Sequence, residues 1–413
     1  MQVAAAHSPY KSLSLITVTS ETFYLPKEVI DARTRKTFLP APMTDNLKLR
    51  CREPSTNYMI GSDLIIGCSS FAGLYLSSTD EIVEATVKSA LDAGFSKFDT
   101  APHYGCGLGE ERLGKAMTKI FACGKSNHLK IWTKVGRLMI PYDEENSSLE
   151  SIAAEHSIDY SNVPGSRNCL FPDTPKNIIP VFDYSTMGIT KSHADSLKRM
   201  GLRSIHGLRL HDCESPSSIK EALADSSENS PRSSGGLGAL MKMRSDSVIS
   251  EVSLGVNDAD AALSILRQAP LGSFDSIMIA GCWNLLEHPL SSLDLFLECQ
   301  RRSVVVHNAG IFASGLLAGG TTYRYQKATA EQIERTERWT KLCDKYSIPL
   351  PAVAIKFALL YTVIEATAVG VKNADEVRQL VEWFHIDVPQ SLFREAKVRG
   401  LLCDHVPLYE PSA

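Results

Sequence analysis

The chain has 413 residues, of which 44% are hydrophobic and 22% charged, with a net charge of −4 and a mean hydropathy of −0.08. These values exclude collagen-like, wholly disordered and strongly basic nucleic-acid-binding classes. The most apolar stretch, 348–371, is broken by Pro349, Pro351, Lys356 and Glu365, so it lacks the run of about 20 apolar residues that a membrane span needs.

Residues 1–60 mix Ser and Thr with basic clusters (Arg33, Arg35, Lys36; Lys48, Arg50, Arg52) and have no sustained periodicity. This predicts a partly disordered N-terminal extension whose charges are solvated. It holds no basic region followed by an apolar core, so no secretory signal is expected. From Leu64 onward, short apolar runs alternate with amphipathic ones, which is the pattern of βα units. Strands are expected at 64–70, 95–101, 129–136, 204–212, 251–257, 274–280, 303–309 and 364–370. The first helix illustrates the logic: Ser78 or Thr79 caps it, Asp80 and Glu81 suit its positive end, and Ile82, Val83, Val87, Ala90 and Leu91 form one apolar face before Gly94 stops it.

Eight such units close into an α/β fold of the (β/α)8 TIM-barrel type over 61–402, followed by a tail at 403–413. An open, doubly wound sheet is the alternative. A bare barrel needs roughly 250 residues, so the excess must lie in insertions. One is expected at 138–181, on the catalytic face as a lid or substrate loop, and a second at 215–236 as a surface loop. Ten cysteines lie singly between Cys51 and Cys403, with no C-x-x-C pair and no histidine spaced to complete a zinc site. Reduced thiols, a cytoplasmic location and no bound metal are expected.

Four polar residues fall at the C-terminal ends of consecutive strands or just beyond: Asp99, Tyr104, Lys134 and His211. Each alone also fits a structural role, as a turn former, a loop aromatic, a solvated strand end and a core histidine. A barrel brings their strand ends together. Lowering a tyrosine pKa of ~10 by about two units takes ~2.7 kcal/mol. One positive charge at ~4 Å, with an effective dielectric near 20, favours phenolate by ~4 kcal/mol. Lys134 is therefore expected to lower the Tyr104 pKa, Asp99 to hold Lys134, and His211 to orient a substrate oxygen. This set handles a proton on a carbonyl or hydroxyl but supplies no electron carrier, so a hydride cofactor would complete it.

Phe98-Asp99-Thr100-Ala101-Pro102-His103-Tyr104-Gly105, Gly109-Glu110-Glu111-Arg112-Leu113-Gly114, Thr133-Lys134-Val135-Gly136-Arg137 and Leu210-His211-Asp212 together resemble the aldo-keto reductase superfamily. The resemblance covers roughly 60–402 and implies that Asp99, Tyr104, Lys134 and His211 form a catalytic tetrad. Within the superfamily the chain looks most like aldose 1-dehydrogenases acting on L-fucose, D-threo-aldoses, L-galactose or D-arabinose, through Lys134-Val135-Gly136-Arg137, Val181-Phe182-Asp183-Tyr184-Ser185, the 315–323 run and Arg399-Gly400-Leu401-Leu402. That likeness implies oxidation of an anomeric hydroxyl to an aldonolactone. Pyridoxal or general aldehyde oxidoreduction is the nearest alternative, and a cofactor-binding regulatory role, as in potassium-channel β subunits, is a third.

The glycines at 105–109 do not form a dinucleotide fingerprint, because the G-x-G-x-x-G spacing fails at Glu110; they read as a turn into a helix. Phosphate is expected instead at the loops after strands seven and eight. Candidate cofactor residues are Gly310, Phe312, Ser314 and Gly315, then Gly370, Lys372, Glu376 and Gln379, with Asn257 for the carboxamide. His103 and Trp283 are candidates for the substrate pocket. By the resemblance, NADP-dependent members place arginine where Glu376 stands, so NAD is the expected cofactor, with NADP possible through Lys372. The expected partner is a small aldose or aldehyde, with neither nucleic acid nor membrane, and the expected state is a monomer or weak homo-oligomer.

Overall fold

The computed structural model describes residues 48–53, 56–122, 129–143, 145–146, 148–163, 169–224 and 235–410. Most of the expected N-terminal extension, including Arg33, Arg35 and Lys36, lies outside the described residues.

Eight parallel strands form a closed barrel: β1 (Leu64–Gly67), β2 (Lys97–Asp99), β3 (Lys130–Val135), β4 (Gly207–His211), β5 (Glu251–Val256), β6 (Ser276–Ala280), β7 (Val305–Ala309) and β8 (Ile364–Gly370). Each lies within an apolar run of the sequence, and ring closure between β1 and β8 removes the open-sheet alternative. The helix Asp80–Asp92 is capped by Thr79, whose hydroxyl accepts the Ile82 N–H at 3.3 Å. It buries Val83, Val87 and Ala90, whereas Ile82 is 40% exposed, because it lies one position off the i, i+4, i+7 stripe. Gly94, with φ 92°, then turns the chain.

The main apolar core lies between strands and helices, and β4 illustrates the pleat. Leu208 and Leu210 join that core, while Arg209 and His211 point into the barrel. The interior holds a small apolar cluster, Ile65, Met278, Ala366 and Ala368, beside polar groups: Arg209 lies over the Trp132 ring at 5.2 Å and donates to His307 Nδ1 at 3.0 Å, and Trp132 and His307 pack edge to face. Below them, on the N-terminal side of the strands, Lys97 pairs with Glu365 at 2.5 Å. Arg52 is not solvated as the sequence suggested. Its guanidinium donates to Asp63 at 2.7 Å and to the Ile364 carbonyl at 2.6 Å, which ties the chain before β1 to the start of β8.

The 138–181 insertion is not a bare loop. Arg137–Pro141 pairs antiparallel with Ile178–Phe182, which also pairs with Ser157–Ile158, and the helix Leu149–Glu155 follows the first strand. Leu138, Ile158, Val163, Ile179 and Val181 give this small sheet its own apolar core, which is why the segment folds despite its polar composition. The 215–236 segment also departs from a loop. Pro216–Ala222 is a helix, set by Pro216 in its first turn and by the Ser215 hydroxyl accepting the Ser218 N–H; residues 225–234 lie outside the described residues.

Gly136 joins β3 to the insertion in a single residue. It has φ 104°, and a Cβ there would sit 2.3 Å from the Tyr184 ring. Both strain and overlap oppose any side chain. Gly136→Ala is expected to lower stability by about 2–5 kcal/mol, read as a shift of the urea midpoint at unchanged m-value.

Candidate active site

Asp99 ends β2, Lys134 lies on β3 and His211 ends β4, while Tyr104 occupies the loop after β2. That loop is tight: Gly105, Cys106 and Gly107 all have positive φ (61°, 51° and 95°), and a helix begins at Leu108, so the glycine-rich stretch is the expected turn. The barrel thereby brings the four residues to one mouth. Lys134 Nζ donates to a carboxylate oxygen of Asp99, to the Thr100 carbonyl at 2.9 Å and to the Tyr104 hydroxyl at 3.0 Å. The second Asp99 oxygen accepts from Arg209 Nε at 2.7 Å.

Burial opposes every charge in this chain. It would raise the Asp99 carboxyl, but Lys134 and Arg209 outweigh it and hold Asp99 ionised. Burial would likewise lower Lys134, but Asp99 and Tyr104 outweigh it and hold the ammonium protonated. Tyr104 departs from the expected depression. Burial raises its pKa above the ordinary value, more than Lys134 lowers it, and Asp99 adds to the rise. The phenol therefore keeps its proton at neutral pH.

His211 is flanked by groups that the sequence did not single out for a role. Its Nδ1 lies 2.9 Å from the Arg137 guanidinium, which also donates to Asp159 at 2.6 Å and to Asp212 at 2.8 Å. Burial, aided by Arg137 and Lys134, pushes the imidazole well below its ordinary pKa despite the nearby Asp212 carboxylate. Asp212 has φ 50° and accepts from the Asn257 side-chain amide at 2.9 Å. Asn257 thus reaches the mouth with its amide engaged, and its backbone N–H donates to Glu214.

The insertion supplies two groups to the same place. Asp159 lies 3.3 Å from His103 Nδ1, and buried Phe171 packs about 6.0 Å from the rings of both His103 and Tyr104. His103 therefore stands beside Tyr104 and His211. Trp283 does not: it is fully buried, stacks on Phe357 at 5.0 Å and donates its indole N–H to the Phe357 carbonyl, so it belongs to the packing around the barrel and has no face open to substrate.

The expected cofactor residues lie on the loops after β7 and β8. Gly310 has φ 69°, and a Cβ there would approach the Gly281 nitrogen to 2.8 Å. Phe312 has φ −94° and packs edge to face on Trp383, followed by Ala313, Ser314 and Gly315 at φ 50°, 58° and 97°. The Ala313 and Gly315 N–H groups donate to the Gly310 and Phe312 carbonyls at 3.0 and 2.9 Å, which closes the loop on itself. After Gly370, Asn373 caps the helix Ala374–His385 by accepting the Glu376 N–H at 2.9 Å. The Glu376 carboxylate accepts the Lys372 N–H at 2.8 Å and lies 4.0 Å from its ammonium, while Gln379 is exposed on that helix. The N-terminus of the helix Ala374–His385 after β8 fits the diphosphate of a dinucleotide.

Asp99→Asn would leave Lys134 and Arg209 buried without their shared counter-charge. A loss of about 3–5 kcal/mol is expected, measured by urea unfolding at pH 7.

The family model for the aldo/keto reductases matches residues 63–397. A pyridoxal 4-dehydrogenase from Microbacterium luteolum is 31% identical over 344 residues, 82% of this chain and 93% of that protein. A D-threo-aldose 1-dehydrogenase from a Pseudomonas species is 30% identical over 336 residues, 80% of this chain and 91% of that protein. Among solved structures, a glycerol dehydrogenase from Gluconobacter oxydans shares the fold with a TM-score of 0.58 at 20% identity, over 88% of this chain and 98% of its own. With a barrel that gathers Asp99, Lys134, Tyr104 and His211 at one mouth, and a family match spanning that barrel, the chain belongs to the aldo/keto reductase family.

Proposed function

We propose that this enzyme oxidises the anomeric carbon of an aldose to an aldonolactone, with NAD as its preferred cofactor. Enzymes of the family use NAD(P)H, and the nicotinamide, when bound, accepts the hydride on oxidation or supplies it on reduction. The observation that carries the reading is the Asp99–Lys134–Tyr104 chain beside His211. Tyr104 exchanges a proton with the substrate oxygen, while His211 donates a hydrogen bond to that oxygen and fixes its position. Lys134 favours the phenolate that forms when the proton is taken from a hydroxyl, and Asp99 keeps Lys134 charged and aimed.

A polyhydroxylated substrate suits the mouth, because Asp212 and Glu214 place carboxylate acceptors around His211 and Asn257. The aldose dehydrogenase relative supports the same class. Pyridoxal is the second reading, favoured by the pyridoxal dehydrogenase relative at nearly equal identity. The cofactor preference rests on Glu376. Its carboxylate repels a 2′-phosphate, and Lys372, the cation that would offset it, already lies near that carboxylate. Gly310, Phe312, Ser314, Gly315, Gly370 and Gln379 complete the proposed dinucleotide site, with Asn257 toward the nicotinamide end and His103 on the substrate side.

The first test follows NADH formation with L-fucose, D-arabinose, L-galactose and pyridoxal. Sugar-dependent turnover that Tyr104→Phe lowers by about 10²- to 10⁴-fold is expected; activity with pyridoxal alone selects the second reading. The raised Tyr104 pKa fixes the sign of the pH dependence. The protonated phenol persists to higher pH than usual, so reduction holds across neutral pH and falls only in the alkaline range, while oxidation rises with pH through that range. Opposite slopes in kcat/KM profiles check this. Glu376→Gln is expected to tighten NADP by about 5- to 150-fold, the effect of one charge at ~5 Å, with little change for NAD, as read by fluorescence titration.

A further inference from the structure

We infer that Arg137 is a positioning residue that locks His211 as the neutral imidazole bearing its proton on Nε2, and that the inserted sheet, through Asp159, holds Arg137 in place. The inference deepens the proposed function and rests on His211 facing the reacting oxygen.

The chemistry of the donor decides the tautomer. A guanidinium has only N–H donors and does not deprotonate in proteins. The Arg137 contact at 2.9 Å therefore requires a lone pair on His211 Nδ1. A neutral ring with Nδ1 as acceptor carries its proton on Nε2, the nitrogen that lies 3.5 Å from Asp212 on the mouth side. Only that tautomer donates a hydrogen bond to a substrate oxygen. The reverse tautomer would set an N–H against the guanidinium, and an imidazolium would add a third cation beside Lys134 and Arg137.

The groups facing His211 come from several elements. Arg137 opens the insertion, Lys134 comes from β3, His103 and Tyr104 come from the loop after β2, and Asp212 follows β4. Of these, Asp212 alone favours protonation, while Arg137, Lys134 and His103 oppose it. Arg137 moderates even Asp212, because it donates to the same oxygen that faces Nε2.

Arg137 has no freedom to leave. It is 5% exposed, its aliphatic stem follows Gly136, its guanidinium carbon lies 4.6 Å from the centre of the Phe182 ring, and Asp159 takes its Nε at 2.6 Å. Phe182 belongs to the inserted sheet, and Asp159 directly follows its strand Ser157–Ile158 and caps the turn Tyr160–Asn162. The insertion thus reaches the catalytic histidine through one side chain without touching it.

The test is the pH dependence of the full-length enzyme and its Arg137→Met and Arg137→Lys variants. In Arg137→Met, kcat/KM at pH 7 is expected to fall on the order of 10- to 100-fold, the effect of one lost or misdirected hydrogen bond, at unchanged dinucleotide Kd. Its profile gains a histidine ionisation at higher pH than in the wild type, because Arg137 no longer opposes the imidazolium, while burial still holds it below the ordinary value. Arg137→Lys retains the cation and suppresses that ionisation. A folded Arg137→Met enzyme with the wild-type profile overturns the inference. If that variant does not fold, the charge-balanced pair Arg137→Gln with Asp159→Asn replaces it.

Long-range ¹H–¹⁵N spectra of histidine-labelled wild type, with His211→Gln to identify the signal, give a second readout that needs no substrate. The Nε2–H form is expected throughout pH 6–9. An Nδ1–H form, or an imidazolium at pH 6, overturns the inference. Absence of turnover on the sugars and pyridoxal sinks the proposed function alone, because the spectra still decide the tautomer.

Discussion

The barrel interior is organised around the sharing of one buried carboxylate. Asp99 receives Lys134 on one oxygen and Arg209 on the other, so two cations that would repel each other in a water-poor space are held by the same counter-charge. A buried ion is tolerable only when paired and hydrogen-bonded, and each partner here is further tied: Lys134 to Thr100 and Tyr104, and Arg209 to Ser253 and His307. Two cations against one carboxylate leave a surplus of positive charge next to the Tyr104 oxygen. At 3.0 Å and an effective dielectric near 20, Lys134 alone favours phenolate by roughly 5 kcal/mol. Burial reverses the balance in the resting protein. The tyrosine is thus poised between two large opposing effects, burial and the neighbouring ammonium.

Much of this was legible in the sequence, for local reasons. Strand placement follows from apolar runs bounded by caps and glycines, and residues at the ends of consecutive barrel strands must converge, so Asp99, Tyr104, Lys134 and His211 could be named together. Arg209 carried a readable signal, since a charged residue two positions before His211 on an apolar strand shares its face. Asp159 and Phe171 carried none. They lie 52 and 40 residues before His211 in the chain, on a segment whose composition reads as loop. Its five core residues are spread thinly between polar stretches, and only the antiparallel register of 137–141 with 178–182 assembles them. Trp283 failed in the opposite direction: position alone put it near the pocket, but an indole stacked on Phe357 with its N–H satisfied serves packing.

The two faces of the barrel divide the work. On the N-terminal side, Arg52, Asp63, Lys97 and Glu365 form pairs that fasten the chain entering β1 to the start of β8. On the C-terminal side, pairs of the same kind surround Tyr104 and His211. Histidine 307 and Arg209 connect the two through the middle. Most aliphatic packing lies outside the strands, and the interior keeps only a small apolar cluster beside its charged groups.

The antiparallel pairing of Arg137 with Phe182 places the entrance and exit of the inserted sheet opposite each other on one rung of the ladder. A segment that leaves and rejoins its host at nearly one point is a natural cassette, exchangeable between related barrels without stretching either backbone. The exchange is not free of conditions here. A donor segment lacking an acid where Asp159 stands would strip Arg137 of an anchor, and one lacking a bulky ring where Phe171 stands would open the wall beside Tyr104. Transplanting substrate preference into this scaffold therefore means moving the acid and the ring together with the loop that bears them.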